Sequence, residues 1–224
     1  MSQDPVVLWE IKQGSPLWFA VRSCYLTASD FSTVLGWNPY KSLTDFVNTL
    51  TTSDPESCSD PSIVEKPVNQ RSEIAMQWGK DHEEDGVFEY FLDKFGFDES
   101  TWPISSPGLV VDYNRKLAVS PDRFVGDDGI VEMKCPFVKA FYKEGMPLAH
   151  KAQIYGLLGV SNRAYIDYVQ WTPYGGILVE RLERSPEFES DWLVMKQILE
   201  TFVDTYKDVY ARRRKYVFSS ALAM

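Results

Sequence analysis

The stretch "VSPDRFVGDDGIVEMKCPF", residues 119–137, holds two short β-type runs, "RFV" and "GIVEMK", on either side of the turn "GDDG". Alternation along the second run sends Glu132 and Lys134 to one face and leaves Val131, Met133 and Cys135 to pack on the other. An isolated E-x-K on a strand is usually a solvated ion pair, and exposed pairs contribute only about 0–1 kcal/mol. Asp122 changes that reading. It precedes Glu132 by ten residues, the span of a hairpin, so it can face the E-x-K across two antiparallel strands. Carboxylates held a few ångströms apart repel unless a proton or a cation lies between them, and a hard divalent ion such as Mg²⁺ suits such a pair. A lysine beside them orients an attacking water and offsets negative charge that develops at a phosphorus centre.

The rest of the 224-residue chain bounds the setting. At 44% hydrophobic and 14% aromatic it has the material for one sizeable core, and a single domain over 1–224 is expected. No apolar run approaches the ~18 residues that span a bilayer, and "MSQDPVVLWE" lacks the layout of a signal peptide, so a soluble intracellular protein is expected. Cys24, Cys58 and Cys135 are scattered, which disfavours a disulfide framework, a thiolate cage and a four-cysteine iron–sulfur site. The net charge of −9 argues against a plain DNA-binding module more than against a metal-dependent enzyme that acts on DNA, because a carboxylate site adds acid locally.

Outward from the hairpin, the pattern is mixed. Ser15 with Pro16 opens a helix, Thr27 caps a second that Gly36 ends, and Ser42 opens a third. Residues 51–71, rich in Ser, Pro and Asp, read as a surface loop. A long helix follows to Gly96, with Ile74, Ala75, Trp78, His82, Phe88, Phe91, Leu92 and Phe95 on one stripe. "GLVVDY", "KLAVS", "RFVGD" and "GIVEMKC" look like one meander. Helices are expected over 139–144 and 147–160, two strands in "RAYIDYVQW" and "GILVERLE", and one C-terminal helix over 186–217. The fold class is α/β (α+β), a central mixed sheet flanked by helices.

"VRSCYLTASDFSTVLGWNPYKS", "WGKDHEEDGVFEYF", "VSPDRF", "VEMKCPF" and "AHKAQIYGLL" follow one another in the order of the YqaJ-like viral recombinase family. The chain resembles this lambda-exonuclease-like family of the PD-(D/E)XK nuclease superfamily from about Gly14 to Trp171, and the restriction-endonuclease-like core is the implied fold. The resemblance implies that Asp122 and Glu132 bind the metal with the backbone carbonyl of Met133, that Lys134 is the catalytic lysine, and that Glu83 completes the metal site. It places Gln153 near the active site and puts Arg22, Ser29 and Ser120 in a pocket for a 5′-terminal phosphate. A guanidinium with two hydroxyls suits that group. Plainer readings exist beside these: Asp81, Glu84 and Asp85 crowd Glu83 as on a solvated helix face, Ser29 also starts a helix, and Ser120 also suits a turn. His82 and His150 read as structural. "ARRRKY", residues 211–216, fits either DNA-backbone contacts or the cations a helix C-terminus favours.

The implied activity is a Mg²⁺-dependent 5′-to-3′ exonuclease on double-stranded DNA, with Mn²⁺ as a substitute, that leaves 3′ overhangs for recombination by strand annealing. The implied partners are DNA ends, a single-strand annealing protein and, as in some relatives, two further copies in a homotrimer. The implied setting is a phage- or virus-infected cell, cytoplasm or nucleus, with no membrane. Two alternatives remain: a structure-selective or sequence-specific endonuclease on the same core, and a catalytically silent scaffold that binds DNA ends.

Overall fold

Ser15 accepts a hydrogen bond from the Trp18 amide at 3.2 Å and Pro16 supplies a first residue preset for a helix, so helix α1 (Pro16–Arg22) begins where the sequence places it. The computed structural model describes residues 4–53, 70–138, 140–142 and 144–221. Strand β1 (Val6–Leu8) precedes α1, and β2 (Leu26–Thr27) runs straight into α2 (Ala28–Val34). Gly36 ends that helix at a φ of 73°, a left-handed conformation that costs glycine little. Thr27 stands at the N-cap of α2, yet its hydroxyl makes no cap bond. Ser42 does cap α3 (Leu43–Thr52), through the Asp45 amide. Residues 51, 52, 70 and 71 of the expected loop are helical, in α3 and α4 (Gln70–Phe95), and its centre, 54–69, lies outside the described residues.

The buried face of α4 differs from the expected stripe. Val87, Tyr90 and Phe91 are buried, while Ile74 and Phe88 stand exposed. The helix has apolar residues nearly all round, so periodicity alone left its rotation undetermined. Close approach settles it at Gly86, where a Cβ would lie 2.7 Å from Met133 Sδ and 2.9 Å from Trp171 Cβ.

The remaining elements are β3 (Ile104–Ser105), β4 (Leu109–Val111), β5 (Leu117–Val119), β6 (Arg123–Val125), β7 (Gly129–Lys134), α5 (Leu148–Ser161), β8 (Tyr165–Thr172), β9 (Gly176–Glu183), α6 (Pro186–Thr205) and α7 (Lys207–Ala221). The four runs read as one meander are all strands, but they belong to two mixed sheets, ordered β1-β4-β5-β2 and β3-β6-β7-β8-β9. The chain changes sheets at Ser120, Pro121 and Asp122. Pro121 has no amide hydrogen to give a ladder, which suits a point where pairing stops. One central sheet thus becomes two, the second still flanked by helices. On one of its faces Ile130 and Ile166 pack with Phe31, Leu157, Phe188 and Leu199; on the other Val131, Met133 and Val169 pack with Val87 and Phe91 of α4.

Two helical expectations fail. Residues 139–144 make turns and bends where described, between Pro136 and a left-handed Gly145, and the Tyr142 amide bonds to the Gln170 side chain at 2.8 Å instead of to a helical carbonyl. The C-terminal helix is broken at Tyr206 (φ −107°, ψ 25°) into α6 and α7.

Asp167 of β8 ties these layers together. It is fully buried and accepts from Arg181 twice at 2.7 Å, from Lys94 at 2.8 Å and from the Tyr90 hydroxyl at 2.5 Å. Burial alone would raise its pKa, but the bonds from Arg181, Lys94 and Tyr90 outweigh it and hold the carboxyl below its ordinary value. A group whose folded pKa is depressed stabilises the fold above its unfolded pKa and loses that contribution as pH falls through the folded one. Asp167→Asn is expected to cost about 2 kcal/mol at neutral pH, less than a fully buried pair because both cations keep some solvent. Urea titrations should show the difference from wild type shrinking below about pH 4. A gap that widens there would contradict the assignment.

Candidate active site

Hairpin β6–β7 pairs Arg123 with Val131, and the register carried one pair further sets Asp122 against Glu132. Glu132 is 2% exposed, which rules out a solvated ion pair. Its Oε1 accepts from Lys134 Nζ at 2.5 Å and from Gln153 Nε2 of α5 at 2.6 Å. Its Oε2 is buried with no hydrogen-bond partner among the described residues. Asp122 Oδ2 accepts from the Met133 amide at 2.7 Å. The strand alternation read from sequence is therefore present, with Val131, Met133 and Cys135 packed towards α4 while Glu132 and Lys134 turn towards α5.

Glu83, one turn before Gly86 on α4, lies 3.9 Å from Arg123 Nη1. Arg123 also pairs with Glu84 and donates to the Asp122 carbonyl at 2.6 Å. Burial, helped by Asp122, pushes the Glu132 carboxyl up to about 8 against the pull of Lys134. Burial and then Asp122 push Glu83 up to about 7 against Arg123. Asp122 is raised as well, by burial and against Lys134. Lys134 loses proton affinity to burial but gains more from Glu132 and Asp122, so it stays an ammonium. Three carboxyl groups that each resist ionisation form a locus that favours added positive charge.

Among the described residues no three His, Cys, Asp or Glu side chains gather into a single metal-sized cluster. Mg²⁺ asks for less, one or two carboxylates with water and substrate oxygens making up the octahedron. Asp122 and Glu132 offer the two carboxylates, the Met133 carbonyl is the further ligand that the family resemblance implies, and Glu132 Oε2, without a partner among the described residues, is the atom most in need of a cation. Glu83 stands beside them, held by Arg123.

Arg22, Ser29 and Ser120 form a connected group. Arg22 Nη2 donates to Ser29 Oγ and, at 3.2 Å, to Thr27 Oγ1. Its guanidinium lies 4.7 Å from the centre of the Trp18 ring, and Trp18 Nε1 donates to Ser120 Oγ at 3.2 Å. Burial lowers the Arg22 pKa, opposed by Asp30 and by the field of Glu132. Sequence reasoning missed Trp18 and Arg123 as site residues and read Thr27 only as a helix cap. Trp18 precedes Arg22 by one helical turn and Arg123 directly follows Asp122, so both carried a positional signal.

Two histidines and a cysteine near the site are held by contacts with their neighbours. His82 bonds the Trp78 carbonyl at 3.0 Å and stacks between Trp78 and Trp171. His150 meets the Tyr168 hydroxyl at 2.8 Å, and burial followed by Lys134 lowers its pKa to about 4, so it is neutral at pH 7. Burial pushes the Cys135 thiol up to about 12, and its Sγ donates to the His82 carbonyl at 3.2 Å.

An alkaline exonuclease of Laribacter hongkongensis, LHK-Exo, superposes with a TM-score of 0.60 at 20% identity, covering 92% of this chain and 98% of its own. The same enzyme in complex with dAMP gives 0.62 at 19% identity over the same shares. A comparison with curated protein sequences finds no match. The model of the YqaJ-like viral recombinase domain matches residues 17–164, about two thirds of the chain, with Glu83, Asp122, Glu132, Lys134 and Gln153 inside that span, and the chain belongs to that family.

Proposed function

We propose that the chain is a metal-dependent deoxyribonuclease that digests double-stranded DNA from 5′ ends and leaves 3′ overhangs for recombination by strand annealing. One observation carries the reading. Glu132 is buried, fixed by Lys134 and Gln153 through one oxygen, and left without a partner on the other among the described residues, beside Asp122. That arrangement is unfavourable for stability alone and suited to a divalent cation. Asp122, Glu132 and the Met133 carbonyl, with Glu83, would hold Mg²⁺ or Mn²⁺ in its place. When bound, such an ion polarises a phosphate oxygen and lowers the pKa of a water.

The chain's own residues do the rest. Lys134 carries three donors on an ammonium; one is held by Glu132, and the others, without a hydrogen-bond partner among the described residues, would orient a water and offset charge at phosphorus. Gln153, from α5, donates to the same Glu132 oxygen as Lys134, and two donors on one oxygen restrict the direction of the other. Arg22, Ser29 and Ser120 would hold a terminal 5′-phosphate, which gives digestion its polarity. The family and the LHK-Exo fold support this assignment, and DNA ends, an annealing protein and a homotrimer in an infected cell belong to the same proposal.

The test compares three substrates, 5′-phosphorylated linear duplex, 5′-hydroxyl linear duplex and covalently closed circular DNA, with Mg²⁺ and with chelator. The phosphorylated duplex is expected to be cut about tenfold faster than the hydroxyl form, as one charge-assisted anchor of roughly 1.5 kcal/mol predicts. The circle should stay intact, and chelator should stop digestion. Nicking of the circle would replace this reading with an endonuclease.

A further inference from the structure

We infer that His150 is a further substrate-binding residue of the reaction centre, one that holds an Nε2 proton out to a non-bridging oxygen of the phosphodiester being cut. His150 lies in the first turn of α5 and Gln153 in the next, so one face of the helix carries both. Gln153 reaches Glu132 at 2.6 Å and His150 reaches the hydroxyl of Tyr168 at 2.8 Å. Tyr168 is the register partner of Glu132 across β7 and β8. The Tyr142 ring meets the imidazole nearly at right angles, centroids 5.4 Å apart, and the Tyr142 amide is anchored on Gln170, the register partner of Lys134. These contacts set the imidazole beside Lys134, on the face of the sheet that carries Glu132.

The place of the ring proton follows from Tyr168. That residue is fully buried, and its hydroxyl has one hydrogen-bond partner among the described residues, His150 Nδ1. Burial raises the phenol pKa, so the hydroxyl keeps its hydrogen. A buried hydroxyl hydrogen needs an acceptor, and Nδ1 is the one it has. Nδ1 therefore presents its lone pair. A neutral imidazole carries one N–H and one lone pair, and burial followed by Lys134 keeps His150 neutral by lowering its pKa to about 4. The single ring proton then resides on Nε2. His150 is half-buried, and its Nε2 is neither bonded to a described residue nor sealed from solvent.

The ring thus hides its acceptor against the sheet and keeps a donor for the site, where Lys134 supplies another. Donors brought together in this way fit an oxygen on which negative charge develops, as at a phosphorus centre under attack. A histidine that only ties α5 to β8 would explain the bond to Tyr168 and leave the Nε2 proton without a role. The inference rests on the nuclease reading for the identity of the substrate; the tautomer does not.

The experiment uses the full chain with Mg²⁺ and 5′-phosphorylated linear duplex, and it separates the two edges of the ring. His150→Asn keeps an acceptor for Tyr168 and is too short to reach the Nε2 position. His150→Gln places an amide N–H there. His150→Phe keeps a ring against Tyr142 and loses both polar edges. A fall in kcat of about 10–100-fold is expected in His150→Asn and His150→Phe, the effect of one donor on a charged oxygen, with KM little changed. His150→Gln should recover most of that loss. A purely structural role predicts another order, with His150→Asn close to wild type and His150→Phe impaired. Thermal melting shows which variants fold, and if His150→Phe does not, His150→Asn decides. Wild-type kcat in folded His150→Asn, a His150→Gln no faster than His150→Asn, or an effect confined to KM overturns the inference. Nitrogen-15 NMR of the free protein reads the tautomer without DNA; the chain has two histidines, and a proton on Nδ1 of His150 would also overturn it. Digestion that ignores His150→Asn sinks this inference alone, whereas a wild type that digests no DNA removes the nuclease reading and, with it, the substrate named here.

Discussion

Lys134→Ala should slow DNA digestion by about 10²–10⁴-fold while the protein still folds. The size follows from what the ammonium touches. Its Nζ is 2.5 Å from Glu132 Oε1 and is the positive group holding Glu132 and Asp122 near one another. Truncation removes the donor that would orient the water and the charge that would stabilise the transition state. It also leaves Glu132 with a single hydrogen bond, from Gln153, a stability cost of about 1–3 kcal/mol for a buried acceptor. Those two effects separate cleanly: saturating Mg²⁺ and phosphorylated duplex report the rate, and near-ultraviolet circular dichroism with thermal melting reports the fold. Full activity in a folded Lys134→Ala protein would remove the lysine from the mechanism.

The second large effect is at a residue with no chemistry. Gly86→Val should cost about 3 kcal/mol or more, at the upper end of overpacking, and lower the melting temperature by roughly 6–12 °C. A Cβ at Gly86 would lie 2.7 Å from Met133 Sδ and 2.9 Å from Trp171 Cβ. Met133 could bend aside, but the Trp171 Cβ is tied to its backbone in β8. Helix α4 must then lift from the sheet, carrying Glu83 away from Asp122 and disturbing the strand that holds Glu132 and Lys134. Loss of activity at temperatures where the variant is still folded would show that helix-to-sheet distance sets the site geometry. A variant as stable and active as wild type would show that α4 has slack the structure does not suggest.

The hairpin around Asp122 and Glu132 was legible because everything that makes it is local: a Gly-Asp-Asp-Gly turn, two short β-type runs and a ten-residue spacing. The division of the strands between two sheets was not. It depends on β2, which has two residues, pairing with β5 across most of the first hundred residues, and a two-residue strand has no period to read. The face of α4 was hidden because its apolar residues surround the helix, and one close contact at Gly86 decides the rotation. The break at Tyr206 has no Pro or Gly to announce it. Arg22, Ser29 and Ser120 were found through family resemblance, whereas the Trp18 ring that joins Arg22 to Ser120 is a tertiary contact with no sequence signature. Arg213 looked like one member of a surface basic run until folding buried it.

The parallel pairing of β7 with β8 has a consequence for when the protein becomes active. Asp122, Glu132 and Lys134 sit within one early hairpin, but Glu132 is flanked by Tyr168 and fixed by Gln153, which come from the crossover helix and the strand after it. Parallel strands cannot pair until their crossover has formed. At about 5–20 residues per second, a growing chain carries all three charged residues for some seconds before the environment that buries them exists. A ribosome-bound or prematurely ended chain therefore displays three solvated side chains without the burial that Tyr168 and Gln153 bring, and on the proposed function DNA in the producing cell would meet an assembled site only when synthesis has passed β8.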